Sequence, residues 1–396
     1  CGAMNGTRGV SDVRLTGFAE RAPLAQAWAW LDAACIAPGQ EMLPPEDAAG
    51  RVLTADVAAH GDLPSGAVAA VDGYAVRAAD TEGASAYNPL PLILSAAAGT
   101  GRACRVAAGA TLPLGSDAIL TFDAATCATP AKLEVLEPVA QGDGVAPRGS
   151  LARSGAVALA AGRRLRPQDL GLLRMLGVMR VPVLRRPPVR LVVAGPKGSQ
   201  PEALGPMLRA LVARDGGMPV AAGGATLATA IAASDQAGVI LVAGRSSAGE
   251  DDLAAAALVE AGGAVAMHGI ALRPGGSSGL GRLGAVPVLL LPGEPLACLA
   301  AYELLAGRLI RQIAGFPAAL PHPTREFALG RKIVSAIGFT DMVQVAIAGG
   351  LAAPIGSVEG GGLPASCRAA GFVVVPERRE GHAEGETVRV HLYEPA

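Results

Sequence analysis

The stretch LVAGRSSAGEDDLAAAALVEAGG, residues 241–263, decides how this chain is read. The apolar run ending at Ala243 has the length and content of a buried strand. Gly244 to Gly249 form a loop of glycine and serine, and the alanine-rich segment that follows is a helix expected to hold Glu250, Asp251 and Asp252 in its first turn. A strand-to-helix loop of this kind presents backbone N–H groups at the positive end of a helix, where phosphates commonly sit. Three acids at such a mouth admit two readings. They complement the helix dipole, or they hold a metal ion that an anionic ligand shares.

The pattern repeats outward from this stretch. VRLVVAG (189–195) precedes the helical PEALGPMLRALVARDG (201–216), GVILVAG (238–244) precedes EDDLAAAALVEAG (250–262), and VPVLLL (286–291) precedes PLACLAAYELLAGRLIRQIAG (295–315). Continuous apolar strands separated by helices indicate a mainly parallel sheet covered on both faces, with ligands at the carboxyl ends of the strands. Loops 195–199, 244–250, 273–279 and 292–295 are therefore expected on one rim.

The flanking regions differ in texture. Near the start, PLAQAWAWLDAAC reads as an amphipathic helix with Leu24, Trp28, Leu31 and Cys35 on one face. Between about residues 55 and 148, short apolar runs are broken by Gly, Pro, Asn and Asp, which suggests an inserted, strand-rich domain. Helical character returns in RPQDLGLLRMLGV, Pro187 and Pro188 mark a boundary, and the residues after FPAALPHPTREF read as a small closing β domain.

Composition narrows the function. The 396 residues suffice for two to four domains. The 33 basic residues nearly balance the 34 acidic ones, so no global field favours nucleic acid or an anionic membrane. No uninterrupted apolar run is long enough to span a bilayer. CGAMNGTRG at the N-terminus has no signal-peptide pattern, so the cytoplasm is the expected compartment. The six cysteines include no C-x-x-C pair and the five histidines are dispersed, which argues against a zinc or disulfide framework.

Several segments, in order along the chain, resemble the molybdopterin molybdenumtransferase family, the bacterial MoeA proteins and the gephyrin E domain. They are GRVLTADVAAHGDLP and VDGYAVRAAD, then CRVAAGATLPLGSDAIL, ARSGAVALAAGRRLRPQDLGLLRMLGV, VILVAGRSSAGEDD, ALRPGG and LLLPGEPLACLAAYEL. The resemblance implies a multidomain α/β plus β protein, an elongated homodimer of four-domain subunits. A split N-terminal domain (1–55 and 149–187) would carry an inserted β-rich domain (56–148). A three-layer α/β domain like that of molybdopterin adenylyltransferases (188–318) and a C-terminal β-barrel-like domain (319–396) would follow. It also implies the reaction: adenylylated molybdopterin and molybdate are taken up, AMP is released in a Mg²⁺-dependent step, and molybdenum stays on the dithiolene. A molybdopterin adenylyltransferase or a molybdoenzyme is the implied macromolecular partner.

Carried over residue by residue, Asp72 and Asp252 match the family's two metal-associated acids, and Arg273 stands at a lysine position as a cation for phosphate or oxyanion. Gly244, Arg245, Ser246, Ser247 and Gly249 form the anion-binding loop, with Pro292, Gly293 and Glu294 at a second turn. Each has a plainer reading: a turn carboxylate for Asp72, helix-end complementarity for Asp252, a solvated loop cation for Arg273. Arg245 occupies a position that is normally glycine. Other departures remove polar groups. GAVAAV replaces a polar segment at 66–71, Ala108 a threonine and Leu151 an aspartate. Pro196 and Lys197 replace two acids, Gly269 and Gly276 replace lysines, and Glu294 replaces an asparagine. Three expectations follow: a divergent enzyme, a catalytically inactive paralogue that binds a pterin, a nucleotide or a partner, or a dimeric scaffold.

Overall fold

The structure is a computed structural model that describes residues 13–36, 39–195, 200–233, 237–356 and 362–394. Pro196 and Lys197 lie outside the described residues. The chain divides into two compact units, one made of residues 42–183 and the other of residues 1–41 and 184–396.

Residues 42–183 contain a six-stranded sheet in the order Ala118–Thr121, Gly73–Val76, Arg102–Val106, Leu90–Leu94, Lys132–Val135, Ala125–Thr129. Its strands are short because glycine and proline interrupt each apolar run. Tyr74, Val76, Leu92, Leu120, Leu133 and Val135 pack on one another as its core. Gly73 is required by close approach, since a Cβ there would stand 2.3 Å from the Leu120 carbonyl oxygen. A second cluster, including Leu53, Val57, Leu165, Leu173 and Val181, gathers around the helix Pro167–Met175.

The other unit holds the α/β sheet, in the order Met218–Ala221, Pro188–Val193, Val239–Ala243, Val286–Leu291, Gly279–Leu283, Ala264–His268. The first four strands run parallel and the last two are antiparallel additions. Alternation explains why the strands are apolar throughout. Leu191, Leu241, Leu289 and Leu291 feed one buried layer, and Val192, Ile240, Val242, Val288 and Leu290 feed the other. The helix Leu24–Ala34 buries Leu24, Ala27, Leu31 and Ala34. Trp28 is only partly buried and donates its indole N–H to the Leu304 carbonyl at 2.7 Å; Cys35 falls just past the helix end.

The apolar segment 295–313 is helical throughout, but its middle turn, Tyr302–Ala306, is π-helical. Buried charges converge on that turn. Both oxygens of Glu303 accept from Arg214, at 2.6 and 3.0 Å, and His322 lies 3.2 Å from Glu303 Oε2. Arg214 also holds Asp215, which Arg311 reaches at 3.0 Å. Burial pushes the Glu303 carboxyl upward, but hydrogen bonds from His322 and Arg214 outweigh it and bring it to about 2.

After residue 323 the chain forms a closed sheet. Thr340–Ala348, Leu351–Pro354, Thr324–Leu329, Thr387–Leu392 and Gly371–Val375 follow in order, and the last pairs back with the first. Phe327, Leu329, Val343, Val345, Val373, Val375, Val388 and Val390 fill its interior. The two-residue strand Leu272–Arg273, from the α/β rim, extends this sheet by pairing in parallel with Thr340 and Asp341. A helix, Gly362–Arg368, interrupts the β region.

Candidate functional site

The carboxyl ends of Val239–Ala243 and Val286–Leu291 define the rim. Gly244 donates its N–H to Leu291 O at 3.0 Å, and the buried Ser246 hydroxyl donates to the same oxygen at 3.0 Å. Gly244 has φ +94 and no room for a side chain, because a Cβ would lie 2.2 Å from Ala194 O. Arg245 follows at φ +54, the left-handed region that glycine enters most easily, and its side chain is exposed. The N–H groups of Arg245, Ser246, Ser247 and Ala248 donate to no acceptor among the described residues. Successive unpaired donors of this kind form an anion-binding concavity.

The acids after this loop sit differently from the sequence expectation. The helix begins at Ala254, so Glu250, Asp251 and Asp252 belong to the turn ahead of it. The reason is local: Asp252 Oδ2 accepts from Gly249 N at 2.7 Å, Asp252 N donates back to Gly249 O at 3.1 Å, and Ala254 N donates to Arg245 O at 2.8 Å. These bonds close the loop before helical geometry starts. Asp252 Oδ1 has no partner among the described residues, which leaves one oxygen to face a ligand.

Pro292, Gly293 and Glu294 lead into the next helix. The Glu294 carboxylate caps it, accepting from Leu296 N at 3.0 Å and Ala297 N at 2.6 Å. Two of the donors that an incoming anion would use are thereby occupied by the chain itself.

Arg273 begins the third rim loop, and its guanidinium is engaged bidentately. Nε and a terminal nitrogen donate to the two oxygens of the fully buried Asp341 at 2.8 and 2.7 Å, while the guanidinium carbon lies 4.9 Å from the Phe339 ring centroid. In the following turn, the N–H groups of Gly275, Gly276 and Ser277 find no acceptor among the described residues.

Asp72 belongs to the other unit. It is exposed, directly precedes the strand Gly73–Val76, and accepts from Ala108 N at 2.7 Å. Among the described residues, no three His, Cys, Asp or Glu side chains converge as a metal-ligand set. A Mg²⁺ at Asp252 would therefore take a single protein carboxylate and depend on ligand phosphates for the rest, an arrangement suited to this ion.

Groups from residues 13–22 also approach the rim, without a mark in the sequence. Leu15 N donates to Ala248 O at 2.8 Å, Ala22 pairs with Ile270, and Phe18 stands edge-on to His268 at 5.1 Å. His268 Nε2 lies 2.8 Å from Ser246 O. No helical or strand period runs through 13–22, so nothing local announces this contact.

Comparison with known proteins supports the geometry. Three family models match in succession: the MoeA N-terminal region, domains I and II, over residues 22–177; a probable molybdopterin binding domain over 197–312; and the MoeA C-terminal region, domain IV, over 326–393. Molybdopterin molybdenumtransferase 2 of Mycobacterium tuberculosis is 31% identical over 313 residues, 69% of this chain and 75% of the relative. The molybdopterin molybdenumtransferase of Bacillus subtilis is 25% identical over 381 residues, 88% of each chain. A crystal structure of a molybdopterin biosynthesis MoeA protein from Pyrococcus horikoshii superposes with a TM-score of 0.73 at 28% identity, covering 95% of this chain and 100% of that one. With this succession of regions and a relative of 31% identity over most of its length, the chain belongs to the molybdopterin molybdenumtransferase (MoeA) family of molybdenum cofactor biosynthesis.

Proposed function

We propose that this protein binds adenylylated molybdopterin on the rim of its α/β sheet and, with molybdate, releases AMP and leaves molybdenum on the dithiolene. The observation that carries this reading is the loop 244–252, which offers four successive N–H donors beside a carboxylate with a free oxygen. The donors suit the phosphates of the ligand, and Asp252 Oδ1 suits a metal that those phosphates share. Bound there, Mg²⁺ would neutralise charge developing on the phosphoryl oxygens. Arg273 acts on the anion chiefly through the position in which Asp341 holds it.

The functional protein is a homodimer in this reading, soluble and cytoplasmic, with the four-domain division 1–55 with 149–187, 56–148, 188–318 and 319–396. A molybdopterin adenylyltransferase would deliver its substrate or a molybdoenzyme receive its product. No helix among the described residues is long and apolar enough to cross a membrane.

A second reading has its own support. Glu294 fills a helix end with its own carboxylate, and Arg273 spends its charge on Asp341. A rim altered in this way also fits a paralogue that holds a pterin without turnover. AMP release from adenylylated molybdopterin, with molybdate and Mg²⁺, separates the two. The enzyme releases AMP in a metal-dependent way, and Asp252→Ala lowers the rate by at least about a hundredfold. Ligand-induced thermal stabilisation without AMP release identifies the binder instead.

A further inference from the structure

Gly276 stands where the family resemblance leads one to expect a lysine, yet the structure leaves a positive charge at that spot. The segment 13–22 is fixed to the rim at Leu15, by its N–H to Ala248 O, and at Ala22. There Ala22 N donates to Gly269 O at 3.0 Å and its carbonyl accepts from Ala271 N at 2.8 Å. Phe18 fits over the glycine at 269, where a Cβ would meet its ring at 2.6 Å. Between these attachments Arg21 projects over the third rim loop. Its Nε lies 3.2 Å from the point a Cβ on Gly276 would occupy.

Arg21 is held by aromatic faces rather than by a counter-ion. Its guanidinium carbon is 5.2 Å from the Phe18 centroid and 5.9 Å from the Phe339 centroid, a ring it shares with Arg273. Arg273 is neutralised by Asp341, whereas Arg21 has no carboxylate partner among the described residues. Beside it are the three N–H groups of Gly275, Gly276 and Ser277 that have no acceptor among the described residues. Gly275 is buried, and a buried donor without a partner is uncommon in a finished fold. An exposed cation and adjacent unpaired donors are the complement of a tetrahedral dianion.

We propose that Arg21, delivered from the N-terminal segment, supplies the cation for a tetrahedral dianion seated on the Gly275–Ser277 backbone, in place of a lysine at position 276. The dianion is a phosphate monoester or molybdate. This rests on the functional reading above, because the same rim is taken as the ligand site, and it assigns a ligand-binding role to a residue some 250 positions away in sequence. A guanidinium about 5 Å from a dianion at a solvent-exposed site changes affinity by roughly tenfold.

The test moves the charge. Wild type, Arg21→Lys, Arg21→Ala and the double variant Arg21→Ala with Gly276→Lys are titrated calorimetrically with molybdate and, separately, with phenyl phosphate. Gly276 is not at positive φ; a Cβ there would lie 3.2 Å from both Arg21 Nε and Leu272 O, so a side chain enters once Arg21 is shortened and the Leu272 carbonyl gives slightly. Wild type is expected to bind at least one anion, and which one identifies the source of the dianion. Arg21→Ala should bind it about tenfold more weakly, Arg21→Lys should retain most of the affinity, and the added lysine should restore what Arg21→Ala lost. Equal binding by wild type and Arg21→Ala overturns the proposal. So does a loss that Gly276→Lys fails to rescue in a protein with unchanged melting, or the absence of binding to wild type. AMP release is read in parallel. Arg21-dependent anion binding without AMP release refutes insertase activity and leaves this inference standing; AMP release with Arg21-independent binding does the reverse.

Discussion

Replacing Arg214 by methionine should destabilise the unit that contains the α/β sheet by about 3 kcal/mol or more. The substitution keeps most of the aliphatic stem and removes the guanidinium. Four hydrogen bonds, two to Glu303 and two to Asp215, are then lost. Both carboxylates have fully buried side chains, and among the described residues the basic groups left beside them are His322 and Arg311. Breaking a buried pair from one side costs about 3–5 kcal/mol, because the remaining charge is left without compensation. The titration of Glu303 gives the scale of the whole network, which His322 and Arg214 share. Its carboxyl lies at about 2 instead of 4.5, which at about 1.36 kcal/mol per pH unit is about 3 kcal/mol. The folded value is the depressed one. This stability is therefore fully present above 4.5 and is lost as pH falls toward 2. The assay is urea unfolding followed by tryptophan fluorescence, since both tryptophans, Trp28 and Trp30, belong to this unit. Measured at neutral pH and at about pH 3, wild type should lose stability with acid more steeply than the variant. A loss below about 1 kcal/mol at neutral pH, or equal acid dependence, would refute the reasoning.

Two further outcomes follow from the rim. Gly244→Ala must accommodate a Cβ 2.2 Å from Ala194 O at φ +94, so the loop should be displaced at a cost of about 2 kcal/mol or more, seen as a lower melting temperature and weakened ligand-induced stabilisation. Glu294→Ala removes two capping bonds and should lower stability by about 1 kcal/mol. It also frees Leu296 N and Ala297 N, so phosphate affinity measured by calorimetry should rise; unchanged affinity would mean that this helix end does not face the ligand.

Legibility in the sequence followed the range of the interactions. The parallel strands could be read because each is a short unbroken apolar run bounded by glycine or proline, and the alternation of Ile240 to Ala243 between two buried layers arises within the strand itself. The strand-rich character of the region around Tyr74 and Leu120 was legible for the same reason. The helix Gly362–Arg368 was not, since its sequence, GLPASCR, has neither apolar period nor a strong cap. Composition places the acids at 250–252 in a helix, whereas a single bond from Gly249 N to the Asp252 side chain delays that helix. Arg273 is legible as a cation, but its partner Asp341 lies 68 residues away and carries no local signature. Nothing local marks Arg21, because its setting is assembled from Phe18, Gly276 and Phe339, which only the tertiary fold brings together.

The division of the chain also has a consequence for the order in which it is made. The helix Leu24–Ala34 buries Leu24, Ala27 and Leu31, and its Trp28 bonds to Leu304, yet residues 42–183 form the other unit and are synthesised in between. At about 5–20 residues per second, a ribosome needs some tens of seconds to pass from that helix to its partner. Throughout that interval the interrupting unit can complete its own core, while the apolar stripe of the first helix waits uncovered. The nascent chain thus carries an early adhesive surface, whose shielding by a chaperone would be measurable as a slower or lossier yield when such assistance is withdrawn.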